Sequence, residues 1–263
     1  MDEDRRGVLY PQRLPEFHRL PAAPELAHAV RWFWIPEWDL PPGTELRQEI
    51  LPFPACNLVV EPGRVAFVGP PTRRSERVLS GSGWAVGALL HPAGASALIP
   101  NLSELRDTET VLDEPVLLGE ASRIMNGPHP DDAGHRELAV AALSRWIRAR
   151  VPEPSAEGLL ANRLAELLAD PEMTRVDQLG PELHASTRTL QRLAERCFGM
   201  PLHAMIRRRR IQEAAERLRT DPTAQVSAVA SELGYADHAH FATDFKAVVG
   251  MTPSEYRDRA SKP

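Results

Sequence analysis

The chain has 263 residues, 43% hydrophobic and 25% charged, with a formal net charge of −5. That length suits one large domain or two ordinary ones, and the acidic balance excludes a generally basic nucleic-acid coat. Two cysteines, Cys56 and Cys197, are too few for a disulfide framework or a four-thiolate zinc site, and no apolar run approaches the ~18 residues of a membrane span.

The start, MDEDRR, is acidic and lacks the cationic-then-apolar pattern of a secretory signal. A cytoplasmic protein with no membrane partner is the expectation. Residues 1–120 are rich in Pro and Gly. Short apolar runs recur there: AVRWFWI (29–35), RQEILPF (47–53), CNLVV (56–60), RVAFVG (64–69) and WAVGALL (84–90). Turn clusters such as DLPPG, EPG, GPPT and SGSG separate them, a spacing that predicts a β-barrel or sandwich. AGASALI and NLSELRDTET read as short helices. HRELAVAALSRWIRAR (135–150) reads as a longer one, with Leu138, Ala142 and Trp146 four apart and Leu143 and Ile147 beside them. Its apolar side suits either a dimer contact or packing within the chain.

VPEPS (151–155) breaks the pattern and is read as a linker between domains at 1–150 and 156–263. The second domain holds 15 basic and 15 acidic residues, including the run Arg207 to Arg210. Helices are expected at 156–169, 174–183, 187–197, 201–219, 225–233, 238–249 and 253–259. The fold class is therefore α+β: a strand-rich half with a few helices, then an all-α half of seven helices.

Two helix-turn-helix units stand out. In the first, Val176, Leu179 and Leu183 form a stripe, HAS turns the chain, and Ser186 caps the next helix. There Leu190, Leu193, Ala194 and Cys197 make a core face, and Arg188, Gln191, Arg192 and Glu195 line another. Guanidinium and amide groups on one face suit guanine and adenine edges. In the second, Val226, Val229, Ala230 and Leu233 precede Gly234, and Asp237 caps a helix whose core face is Phe241, Phe245, Val248 and Val249. Ala239, Thr243 and Lys246 look outward, with His240 at the edge.

His238 and His240 lie ~200° apart on a helix at ~100° per residue, so they cannot share one metal ion. They are solvated or packed residues near a helix start, or they face a DNA groove; the groove is the preferred reading for at least one. Between the units, residues 201–219 form a rod of ~28 Å at ~1.5 Å per residue, which suits two reader helices about one duplex turn apart.

STRTLQRLAERCFGMPLHAMIRRRRIQEAAERL (186–218) and VSAVASELGYADHAHFATDFKAVVGMTPSEYR (226–257) resemble the DNA-binding domain of the AraC/XylS family of transcription regulators. The resemblance covers 157–259 and implies a sequence-specific promoter-binding regulator and not an enzyme. The implied DNA-contacting set is Ser186, Thr187, Arg188, Gln191, Arg192, His238, Ala239, His240, Thr243 and Lys246. Thr243 stands where many members carry arginine, which predicts fewer base contacts from the second unit. Gly180–Pro181 replaces the usual Leu-Ala, which predicts a kinked or late-starting helix.

The implied partners are double-stranded promoter DNA and RNA polymerase, with a small-molecule effector and a homodimer left open. RWFWIPEWDLPPG (31–43) and GALLHPAGASALI (87–99) are similar to sensor domains found ahead of this module. Trp32, Trp34 and Trp84 are the weak candidates for an effector site, against core or edge packing. His18, His28 and His91 match no ligand spacing, so neither metal nor cofactor is expected. Two alternatives are carried: a binding module with degenerate DNA contacts, and a DNA-repair methyl-acceptor protein using Cys56 or Cys197. PACNLVV lacks the His and Arg that the second chemistry needs.

Overall fold

The computed structural model describes residues 16–50, 55–128, 134–170, 173, 175–221 and 223–260. The MDEDRR start, the end of the RQEILPF run and Thr174, the expected start of one helix, lie outside the described residues.

The first half contains β1 (Glu16–Pro21), β2 (Val30–Asp39), β3 (Glu45–Ile50), β4 (Asn57–Glu61), β5 (Arg64–Val68), β6 (Ser75–Ser80), β7 (Ser82–Trp84), β8 (Val86–Leu90), α1 (Pro92–Leu98), β9 (Glu109–Leu112), α2 (Pro115–Met125) and α3 (Gly134–Arg148). A short 3-10 turn, Leu102–Leu105, stands where NLSELRDTET was expected to be helical, and the rest of that stretch enters β9. All pairings among the described residues are antiparallel. The main sheet runs β1-β2-β8-β4-β5-β9, with β7 also on β2; β3 and β6 form a separate ribbon. Of the two expected architectures, the closed barrel is not formed among the described residues: the pairing order ends openly at β1 and β9.

Alternation along β2 sets the layers. Phe33 and Ile35 are fully buried against Leu58, Val60, Val65, Phe67, Val86 and Ala88. Leu117, Ala121 and Ile124 from α2 and Ala139, Ala142, Leu143 and Ile147 from α3 close that core. The apolar side of α3 is thus spent within the chain, except for Leu138, which is 60% exposed.

Trp32 and Trp34 point to the other face. Trp34 lies over Gly87, where a Cβ would come within 2.0 Å of its ring, so only glycine admits this packing. Its Nε1–H donates to Asn57 Oδ1 at 2.9 Å, and Phe17 stacks beside it. Trp32 sits between the guanidinium groups of Arg19 and Arg31, 4.7 and 4.6 Å from the ring.

The second half holds α4 (Ala156–Ala169), α5 (Val176–Leu183), α6 (Thr187–Phe198), α7 (Leu202–Thr220), α8 (Val226–Glu232), α9 (His238–Val249) and α10 (Pro253–Ala260). The seven expected helices are all present, with ends shifted by at most two residues. Pro181 sits in the last turn of α5, which closes on His184 in the left-handed region (φ 48°).

α7 divides this half into two cores. Met205 and Ile206 pack with Leu164, Leu179, Leu190, Leu193 and Cys197. Ile211, Ala214, Ala215 and Leu218 pack with Val229, Phe241, Phe245, Val249 and Tyr256. One helix therefore carries both units.

The two halves touch closely. Val151 belongs to the first core, and Ser155 caps α4 by accepting the Gly158 N–H at 3.1 Å. Buried Asn162 on α4 donates to the His28 carbonyl at 2.7 Å and accepts the Ala93 N–H at 3.0 Å. Both backbone groups come from the first half, so α4 is docked there by directional bonds as well as by the packing of α1.

Candidate nucleic-acid interface

α6 is built for exposure on one side only. Leu190, Leu193, Ala194, Cys197 and Phe198 are buried, while Ser186, Thr187, Arg188, Gln191 and Arg192 are exposed. Ser186 Oγ accepts the Thr189 N–H at 3.1 Å, which fixes the helix start. Gly199, left-handed at φ 66°, ends it. Neither Arg188 nor Arg192 is ion-paired among the described residues, whereas Arg196 one turn on pairs with Glu157. Two uncompensated guanidinium groups beside an amide make a surface suited to an anionic, base-edged ligand.

α9 repeats the construction. Phe241, Phe245, Val248 and Val249 are buried; His238, Ala239, His240, Thr243 and Lys246 are exposed. Asp237 Oδ1 accepts the His240 N–H at 2.7 Å, and Gly250 (φ 83°) closes the helix. This face is poorer in donors. Thr243 Oγ1–H is committed to the Ala239 carbonyl at 2.9 Å.

One residue of α9 that the sequence reading did not single out is buried and polar. Asp244 is 7% exposed. It faces Tyr235 Oη at 3.3 Å, Arg207 Nη1 at 3.5 Å and His240 Nε2 at 3.6 Å. The Tyr235 ring also meets His240 edge-on. Asp244 therefore joins α7, the turn before α9 and the outward histidine. Burial, aided by the Asp244 charge, pushes the Tyr235 hydroxyl up, so it stays a donor. Of this cluster the sequence marks Arg207 and His240, but nothing local ties them to Asp244 or Tyr235.

The four arginines of the run Arg207 to Arg210 on α7 are not equivalent. Arg207 is exposed, Arg210 stacks its guanidinium 5.7 Å from the Tyr235 ring, and Arg208 and Arg209 are buried. Burial lowers Arg208 to about 10 and lowers Arg209 as well. Those two lie inside the protein rather than on its surface.

In the first half, Trp38, Trp84, Glu16, Glu37, Asp39 and Asn126 line an open cleft of about 580 Å³. Trp84 is nearly buried, and its Nε1–H donates to Asn126 Oδ1 at 2.8 Å. Trp32 and Trp34 are not among the lining residues. Glu37 is held by Arg136 Nε at 2.6 Å and His135 Nε2 at 2.9 Å.

Both cysteines are buried. Burial pushes the Cys56 thiol up to about 12 and also raises Cys197. Neither environment favours the thiolate that alkyl acceptance requires.

Residues 179–259 match a family described as a helix-turn-helix domain, and residues 18–110 match a domain of unknown function, DUF6597. The HTH-type transcriptional activator AarP of Providencia stuartii is 38% identical over 101 residues, covering 38% of this chain and 67% of that protein. Among solved structures, ToxT from Vibrio cholerae aligns over 94% of this chain and 98% of its own, at 14% identity and a TM-score of 0.43. The C-terminal domain of the response regulator yesN from Fusobacterium nucleatum aligns over 39% of this chain and 97% of its own, at 26% identity and a TM-score of 0.33.

Proposed function

Because the chain belongs to the AraC-type family of helix-turn-helix transcription regulators, we propose that its two units read neighbouring major-groove segments of one promoter duplex. The observation that carries this reading is the paired construction of α6 and α9. Each is capped by a side chain, closed by a left-handed glycine and exposed on its polar side, and α7 joins them. Arg188 and Arg192 pair with guanine edges and Gln191 with adenine. Ser186 and Thr187, at the positive end of α6, sit against phosphate. His238, His240 and Lys246 supply the donors of the second unit, Ala239 gives apolar contact, and Thr243 contributes less.

Residues 1–150 act as the sensor and 156–263 as the reader, with 151–155 between them. The cleft beside Trp38 and Trp84 is the entry point for a small effector, since it joins aromatic faces to polar groups. The related AarP is named an activator, which supports activation through RNA polymerase for this chain as well. A gel shift of the full chain on its own upstream region, at stated salt, tests the DNA reading. Specific retardation that survives excess unrelated duplex is the expected result; equal affinity for both duplexes opposes it.

A further inference from the structure

Residues 69–74 and 102–108 of the first half are tied to each other. The Gly69 N–H donates to the Thr108 carbonyl at 3.0 Å, and the Asp107 N–H to the Pro70 carbonyl at 3.3 Å. The Asp107 carboxylate accepts both the N–H and the hydroxyl of Thr72. Asp107 is left-handed (φ 58°), and a Cβ at Gly69 would fall 1.8 Å from the Leu105 oxygen, so the two strips interlock at backbone level.

Together the strips touch the C-terminal ends of both reader helices. At α6, Arg106 Nε–H donates to the Gly199 carbonyl at 2.9 Å, and Arg106 Nη2 lies 3.9 Å from Glu195. A Cβ at Gly199 would sit 2.6 Å from the Leu102 carbonyl oxygen, so contact there is tight. At α9, the Arg74 N–H donates to the Val248 carbonyl at 2.9 Å, and the Arg74 side chain lies over Gly250. Both helices end on the same interlocked block, by hydrogen bonds to terminal carbonyls that their own turns leave unsatisfied.

We propose that residues 69–74 and 102–108 form a second strut between the two readers, and that Arg106 is a positioning residue that sets the spacing of the two DNA subsites. α7 alone is one connection, and rotation about a single connection swings one unit relative to the other. A second connection to the far ends of α6 and α9 removes that freedom. Arg106 also places a cation at the negative end of α6. The proposal rests on the reading that both units engage one duplex.

The test uses the full chain and a pool of randomised duplexes. From the selected consensus, duplexes are made with the two subsites moved together or apart by one base pair, and one with a single subsite scrambled. Wild type is expected to lose affinity several-fold for the shifted duplexes. Arg106→Ala should flatten that loss while binding the scrambled duplex like wild type, and Arg106→Lys should restore part of it. Thr72→Val, which loosens the strut without touching either reader, should act in the same direction. An Arg106→Ala protein with the wild-type spacing profile, or one weakened equally on every duplex, overturns the strut alone. A wild type indifferent to spacing overturns the two-reader reading and the strut with it.

Discussion

Ser186 and Asp237 hold equivalent places in the two units: each side chain accepts the backbone N–H three residues ahead, from Thr189 at 3.1 Å and from His240 at 2.7 Å. Thirteen residues after each cap a left-handed glycine closes the helix, Gly199 in one and Gly250 in the other. Substituting either cap by alanine leaves one of the first helical N–H groups without its partner. Ser186→Ala and Asp237→Ala should each cost about 1 kcal/mol. Urea midpoints at constant slope would measure this, and an unchanged midpoint would count against the caps as stabilising groups.

Arg192 is exposed, and among the described residues it has no ion-pair partner. Its removal should therefore leave stability almost unchanged. If it reads a base edge, Arg192→Ala should weaken specific binding by ~1–3 kcal/mol and relax preference at one base position. Competition binding on a substituted duplex set checks both. A uniform weakening with a shallower salt slope would assign Arg192 to phosphate instead.

The Glu37 carboxyl lies below the usual carboxylate range. Burial works to raise it, but hydrogen bonds and charge from Arg136 and His135 outweigh burial. A depressed native value means that the charged form is favoured by folding, so this contribution is whole above the ordinary value of 4.5. It is lost as pH falls below that and passes through the native value. Glu37→Gln should flatten the acid limb of the stability curve and matter least below it. Urea melts between about pH 6 and about pH 3 would show the difference. Parallel acid limbs for the two proteins would contradict the assignment.

Asn162 bonds two backbone groups of the other half, His28 O and Ala93 N. Asn162→Ala strands both in a buried joint, at a cost of roughly 1–3 kcal/mol for each unsatisfied group. The reader half should then melt less cooperatively with the sheet, as a broadened or split calorimetric transition. A single transition with an unchanged midpoint would show that the packing of α1 suffices.

The helical half was legible because its signals are local. Asp237, Phe241, Phe245 and Gly250 fall within fourteen residues and specify cap, core face and stop for α9. β1, β6, β9 and α2 were not marked. β6 is exposed along nearly its whole length in a two-stranded ribbon, so it carries no inside-outside alternation. The outward Trp32 and Trp34 were read by size rather than by face, and their neighbours Arg19 and Gly87 are visible only once strands pair. The joint was illegible for a different reason. Arg106 to Gly199, Arg74 to Val248 and Asn162 to His28 all end on backbone carbonyls far away in sequence, and a carbonyl has no residue signature.

Hydroxyl-radical footprinting of the full chain on a selected duplex tests the paired-reader claim most directly. Two protected patches should appear on one face of the duplex, about one helical turn apart, with Arg192→Ala thinning one patch and a His238→Ala/His240→Ala pair thinning the other. A single patch, unaffected by the second substitution, would mean that α6 alone touches DNA.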